Sequence, residues 1–464
     1  MFDWEEEPQD SHLSEDLERF EAQLAQNAVG FYDSDRLEAI IDHYLINGNY
    51  SKATAAADVG ILQYPFYALF LIRKAQAMSG LGQLREALEV LSQAEKTEVD
   101  SVELILTKAT IFSQLRDSQR AVRYFREALE LAEKEDKDEI YLDLATELEQ
   151  LRDFSGAIEV LEEAMKLNPK NEGALYELAF CFDQLGDYNR AIRSYRDFLD
   201  DNPYSFTAWY NLGNTFSKAE NFPDAIMAYE YCVAINDTFS PAFFNMGNAH
   251  LSLEQYKEST DCFFKCIEID GDDALTYCYL GEAYEQLEEL TLAWEYYQKS
   301  LSLAPNLAEA WLGLGIVKDL EGKPKESLHY IERALELEPS MDGYHHVYAG
   351  ALENCEMYEE AEQAYLACLR LEPANEDAFF DYVDFLLEYY PTRTRSFVES
   401  FLVENNQFFA LLPLIYLNWL SGRMPEAVLL FTEALAKEPI KTKDVFTRYP
   451  ELMNVPEFVN LSRD

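Results

Sequence analysis

Apolar residues recur along most of this chain at the three- and four-residue steps of a helix buried on one face, and short polar breaks interrupt them regularly. Residues 206–238, FTAWYNLGNTFSKAENFPDAIMAYEYCVAINDT, show the pattern most completely. Trp209, Leu212, Gly213 and Phe216 fall on one helical stripe, and Ala225, Tyr229 and Cys232 fall on another. Between them AENFPD breaks the periodicity, and Pro223 can take the first position of a new helix. The expectation is a helix, a tight turn and a second helix. One such hairpin cannot bury its own apolar faces, so it requires neighbours.

The neighbours can be followed by their small residues. The Gly213 position recurs as Ile41, Ala75, Ala109, Ala145, Ala179, Gly213, Gly247, Gly281, Gly315, Ala349, Val383 and Ile415. The step is 34 residues, except 36 between Ala109 and Ala145 and 32 between Val383 and Ile415. A second small residue follows 12 positions later (Ala53, Ala87, Ala225, Ser259, Ala293 and their equivalents), and a third 7 after that (Ala94, Cys232, Cys266, Ala334). Between these two comes a large apolar or aromatic residue, among them Phe125, Tyr195, Tyr229, Phe263, Tyr297, Tyr365 and Phe431. Antiparallel helices that close to about 8–10 Å need small side chains where they cross. The larger residues are then expected to fill the space toward the next unit. Prolines 169, 203, 305, 339, 373 and 439 close many units and stop the second helix.

The period, the WYNLGNTF string and the later Ala, aromatic and Pro positions resemble the tetratricopeptide repeat family over roughly residues 33–439. The resemblance implies an all-α fold: a right-handed α-solenoid of about a dozen stacked helix-turn-helix units. The expected organisation is an acidic, partly disordered leader at 1–30 and units 1–3 at 31–132. A central array at 133–390 then runs from unit 4 to the first helix of unit 11. Residues 391–439 hold the degenerate second helix of unit 11, where Arg395 takes a small-residue position, and unit 12. Residues 440–464 form a C-terminal cap.

Charge narrows the partners. With 37 Lys+Arg against 86 Asp+Glu, the net charge is -49. Such a chain repels nucleic-acid phosphates and anionic membrane surfaces alike. Either a basic or amphipathic protein is the natural counterpart, steered in by the field, or the charge serves only to keep a large elongated chain soluble. With 48% hydrophobic and 14% aromatic residues the body can still build a core. No apolar run is long enough to span a bilayer, and the start lacks the features of a signal peptide. Seven cysteines, an odd number without a secreted framework, point to a reducing, cytoplasmic setting. For Phe2 and Trp4 beside three glutamates the expectation is a plain solvated terminus, with a short docking motif as the alternative.

No constellation of catalytic residues stands out, so an enzyme is not expected, and no cofactor is implied. Cys262 and Cys266 sit one turn apart, but Cys266 holds the small-residue position of its unit, so core packing is expected rather than metal binding. His345 and His346 are adjacent, point about 100° apart on a helix and cannot share a metal. His345 stands where Trp209 and Trp311 stand and is expected to pack as they do.

In the family, first helices line the concave face. The groove positions are three residues before and one after the Gly213 position. They are Tyr176 and Phe180, Tyr210 and Asn214, and Phe244 and Asn248, then Cys278 and Glu282, Leu312 and Ile316, His346 and Gly350, and Phe380 and Asp384. The resemblance implies that Asn214 and Asn248 hydrogen-bond the backbone of an extended peptide, since an amide both donates and accepts. Tyr176, Phe180, Tyr210 and Phe244 would hold its apolar side chains. The lysines and arginines by which relatives grip acidic chaperone tails are missing, apart from Lys218. The expected function is a non-catalytic scaffold or adaptor. The alternatives are a holding chaperone or assembly factor for basic clients, or a fixed regulatory subunit of a larger complex. A homo-oligomer is possible but not indicated.

Overall fold

The computed structural model describes residues 8–26, 30–97 and 101–462, which are helical without strands. The Phe2 and Trp4 motif lies outside the described residues. The chain divides into two compact units, Met1–Asp237 and Thr238–Asp464, each an α-solenoid of stacked helix pairs. The first unit opens with helix Pro8–Ala25. Its pairs are Ser34–Ile46 with Tyr50–Gln63, Ala68–Gly80 with Leu84–Ala94, and Val102–Gln114 with Ser118–Leu131. Lys137–Gln150 with Phe154–Leu167, Glu172–Gln184 with Tyr188–Asp201, and Phe206–Lys218 with Phe222–Ile235 follow. The second unit pairs Ser240–Ser252 with Tyr256–Asp270, Ala274–Gln286 with Leu290–Leu303, and Ala308–Leu320 with Pro324–Leu337. It continues with Asp342–Asn354 and Tyr358–Leu371, Glu376–Tyr389 and Pro391–Asn405, and Leu411–Leu420 and Met424–Lys437. Helices Pro439–Arg448 and Pro456–Leu461 end it.

Glycine at the Gly213 position is a contact requirement. A Cβ there would lie 2.4 Å from a ring carbon of Tyr229, and at Gly281 2.6 Å from the ring of Tyr297. The aromatic residue of the second helix thus lies over the glycine of its own pair, not only toward the next one. Tyr297 does both, since a Cβ on Gly313 of the following pair would come within 2.2 Å of its ring. The hydroxyl of this tyrosine is matched across the pair: Tyr297 donates to Glu285 at 2.9 Å and Tyr365 to Glu353 at 3.0 Å.

The Trp and Pro positions are coupled as well. The indole N–H groups of Trp209 and Trp311 donate to the carbonyls of Pro203 and Pro305, both at 2.9 Å. His345 makes the same 2.9 Å contact from Nε2 to Pro339, so the imidazole stands in for an indole N–H. Within each pair except the eleventh, where Tyr390 (φ -136°) joins the helices, one left-handed residue turns the chain between them. It is glycine at Gly82 (φ 75°) and Gly322 (φ 75°), but Arg116, Glu220 and Glu254 at φ 57°, 56° and 58°.

The irregular places have local causes. The two-residue insertion forms a short 3-10 turn, Lys134–Asp136, ahead of helix Lys137–Gln150. In the eleventh pair the first helix runs on to Tyr389 and the second starts at Pro391, which shifts its register. Thr394, fully buried, then takes the small-residue place, while Arg395 turns to the Asn418 side-chain oxygen at 3.0 Å. At the start, Phe20 is buried against Tyr32 and Tyr44, with ring centroids 5.8 and 6.5 Å away. At the end, Phe458 and Phe446 close on the buried ring of Phe431 at 5.2 and 5.7 Å.

Candidate protein-interaction faces

In the first unit, helices Glu172–Gln184 and Phe206–Lys218 pack side by side and carry Tyr176, Phe180, Tyr210 and Asn214. Glu172 ties the two helices together: it accepts from Ser205 at 2.7 Å, Thr207 at 3.1 Å and the Tyr176 hydroxyl at 2.8 Å. Tyr176 is half-buried, and burial, with the neighbouring Glu172 carboxylate, lifts its phenol to about 12. Phe180 is exposed and meets Phe154 edge-on at 6.3 Å. Asn214 turns inward, its oxygen accepting from the Tyr229 hydroxyl at 2.9 Å. Tyr210 lies 6.1 Å from the same ring. Lys218, the one cation expected on this face, is bound to Asp183 at 2.7 Å.

In the second unit the same positions behave differently. Phe244 packs against Phe263 at 5.7 Å and Tyr279 at 5.4 Å. Phe263 stands where Tyr229 stands and has no hydroxyl, so the Asn248 side-chain oxygen is buried with no hydrogen-bond partner. Cys278, placed on the groove by its register, is instead buried with Tyr297 in the core. Glu282 is exposed to water but crowded from the sides, and the partial desolvation raises its carboxyl. Glu285 below it is buried, and burial pushes its carboxyl up to about 7 despite the Tyr297 hydrogen bond.

Further along, Ile316, His346 and Gly350 come together at a cavity of about 290 Å³, also lined by Asp319, Asn354, Tyr365 and Asp381. Two hydrogen bonds link successive first helices around it, Asn354 to Asp319 at 2.9 Å and His346 Nε2 to Asp381 at 2.8 Å. Next to it, Arg448 of the closing helix reaches back over the first-helix face. Its guanidinium is bonded to Asp384, lies 3.9 Å from Asp381 and stands 4.9 Å above the Phe380 ring. Asp319, Asn354, Asp381 and Arg448 were not singled out by register. The first two pairs share a signal that could have found them, since each partner lies 35 residues from the other, one repeat plus one. Arg448 lies outside the periodic part and carries no such signal.

Cys262 and Cys266 are both buried, and Cys266 directs its sulfur to the Ser240 carbonyl at 3.6 Å. Among the described residues no group of three or more His, Cys, Asp or Glu could hold a metal ion. No described helix is long and apolar enough to cross a membrane.

A sequence profile described as tetratricopeptide repeat matches residues 148–213. A second of the same description matches 102–135, 240–273, 274–307, 308–341 and 343–375. No curated protein matches. Among solved structures, MamA is 26% identical with a TM-score of 0.33, covering 35% of this chain and 95% of its own. YrrB, described as a TPR protein with an unusual peptide-binding site, is 21% identical with a TM-score of 0.31, covering 40% of this chain and 97% of its own. The Cut9–Hcn1 hetero-tetramer of APC/C is 14% identical with a TM-score of 0.43, covering 87% of this chain and 93% of the matched one.

Proposed function

Because this chain belongs to the tetratricopeptide repeat family, whose stacked helix pairs serve as a protein-interaction scaffold, we propose that its first-helix faces hold an extended, basic or amphipathic segment of a partner protein. The observation that carries this is Asn248. Its side-chain oxygen is buried with no partner beside the Phe244 ring, and a buried acceptor left unmade costs about 1–3 kcal/mol. A turn of the Asn248 side chain would bring that oxygen to the face, where a peptide N–H of a bound segment would satisfy it and the segment's carbonyls would accept from the amide nitrogen. Asn214 is the weaker candidate of the two, since its oxygen already serves Tyr229. The net charge of -49 selects a basic or amphipathic segment and sets the salt dependence.

The test uses a fluorescein-labelled octapeptide of alternating valine and arginine, titrated with the full chain and followed by fluorescence anisotropy. Asn248→Ala is expected to weaken binding about tenfold, and raising salt from about 50 to about 300 mM to weaken it further. Binding that ignores both changes would refute the proposal.

A further inference from the structure

We infer that the cavity between helices Ala308–Leu320 and Asp342–Asn354 receives an arginine or lysine side chain of a protein partner. This assignment rests on the peptide-holding role proposed above and names one contact within it. Four observations meet here. The cavity, of about 290 Å³, has an apolar floor of Ile316, Ile331 and Tyr365 and a rim carrying Asp319 and Asp381. That combination suits a long aliphatic stem ending in a cation. Gly350 keeps it open: a Cβ there would meet nothing within 4 Å, so this mid-helix glycine has no packing duty.

One Asp319 oxygen is buried without a hydrogen-bond partner, the other being taken by Asn354. No lysine or arginine lines the cavity; its one basic side chain, His346, is already held by Asp381. Lys318, on the same helix as Asp319, is turned to Glu321 and the Trp294 ring. Burial and the charges of Glu388, Asp381 and Asp384 raise the nearby Glu353 carboxyl, a sign that negative charge here is under-compensated.

The fourth observation is an example inside the molecule. One repeat along, Arg448 lies over Phe380 and binds Asp384, with Asp381 at 3.9 Å. Asp381 therefore borders both places. One is filled by the chain's own arginine; the other is the cavity. Charge complementarity selects a cation over an anion, and the apolar floor selects a side chain over a bare ion.

The experiment compares the valine–arginine octapeptide with the same peptide carrying neutral citrulline, against the full chain. The expected result is that the arginine peptide binds at least tenfold more tightly and that Gly350→Leu, which fills the cavity, removes most of this difference. Asp319→Asn should reduce it three- to tenfold and serves as the second variant if Gly350→Leu fails to fold. Arg448→Ala, which exposes the neighbouring carboxylates, should strengthen arginine-peptide binding. If both peptides bind equally and Gly350→Leu changes nothing, the cavity assignment falls while the peptide-holding role stands. If neither peptide binds, both fall. If Gly350→Leu alters the sedimentation of the chain and not peptide binding, the cavity belongs to a second copy and the assignment is overturned.

Discussion

Two glycines in first helices should respond to the same substitution with opposite signs. At Gly213 an alanine Cβ would lie 2.4 Å from a Tyr229 ring carbon, more than 1 Å inside the ordinary contact distance of about 3.5–4.0 Å. The ring cannot swing aside at no cost, because its hydroxyl is held by Asn214 at 2.9 Å and Ser217 at 3.2 Å. Overpacking of this kind costs about 1–3 kcal/mol, against a helix-propensity gain of about 1 kcal/mol. Gly213→Ala should therefore destabilise by about 1 kcal/mol, and Gly213→Leu by about 3 kcal/mol or more. Alanine is native at this position in other pairs, as Ala179 and Ala349, so the cost is that of moving a ring and helix already set for glycine. At Gly350 nothing lies within 4 Å of the new Cβ, and Gly350→Ala should stabilise by about 1 kcal/mol. The gap of about 2 kcal/mol can be read from urea unfolding of the full chain, with native-state hydrogen exchange assigning the change to the substituted helix. Hydrogen exchange is needed because solenoid repeats do not always unfold as one unit. Shifts of the same sign, or a gap below about 0.5 kcal/mol, would refute the close-packing account.

Three further outcomes follow from the geometry. Glu254→Gly, at φ 58°, should raise the urea midpoint by the equivalent of about 0.5–1 kcal/mol, whereas Gly82→Ala, at φ 75°, should lower it by a similar amount; an unchanged midpoint in both would sink the turn-strain argument. Arg393→Ala leaves the mostly buried Glu362 with only the Tyr382 hydroxyl and should destabilise helix Pro391–Asn405 by about 1–2 kcal/mol, discounted because Arg393 is half exposed; unchanged hydrogen exchange in that helix would count against it. Glu285 has a raised folded carboxyl, about 7 against an ordinary 4.5, caused first by burial and then by Glu282, so the folded chain keeps a proton that the unfolded chain has released between those values. Its contribution, at most about 3 kcal/mol, is present below about pH 4.5 and lost as pH rises through 7; Glu285→Gln should remove that decline and be the more stable protein at pH 8, and parallel pH profiles would refute this.

The helix pairs are legible in the chain because the demand that makes them, a small residue at each crossing, repeats with every pair. Gly213, Gly281 and Gly315 answer it in the same register, and each would clash if given a Cβ. The turn is harder to read. Left-handed conformation is expected of glycine, yet Arg116, Glu220 and Glu254 adopt it, because the packed helices on either side leave the connecting residue no alternative. The candidate faces are legible by position but not by chemistry. Asn214 and Asn248 sit in nearly identical strings, NLGN and NMGN, and differ because of a residue 15 positions on: Tyr229 engages the first, and Phe263 offers nothing to the second. Under the proposed function, the binding capacity of a repeat would be set by what its second helix leaves unsatisfied on the first. Arg448 extends the point, since it meets Asp384 from 64 residues away and from outside the period. A periodic chain announces its scaffold through what recurs; in the proposed reading, what it holds depends on the pairs where recurrence fails.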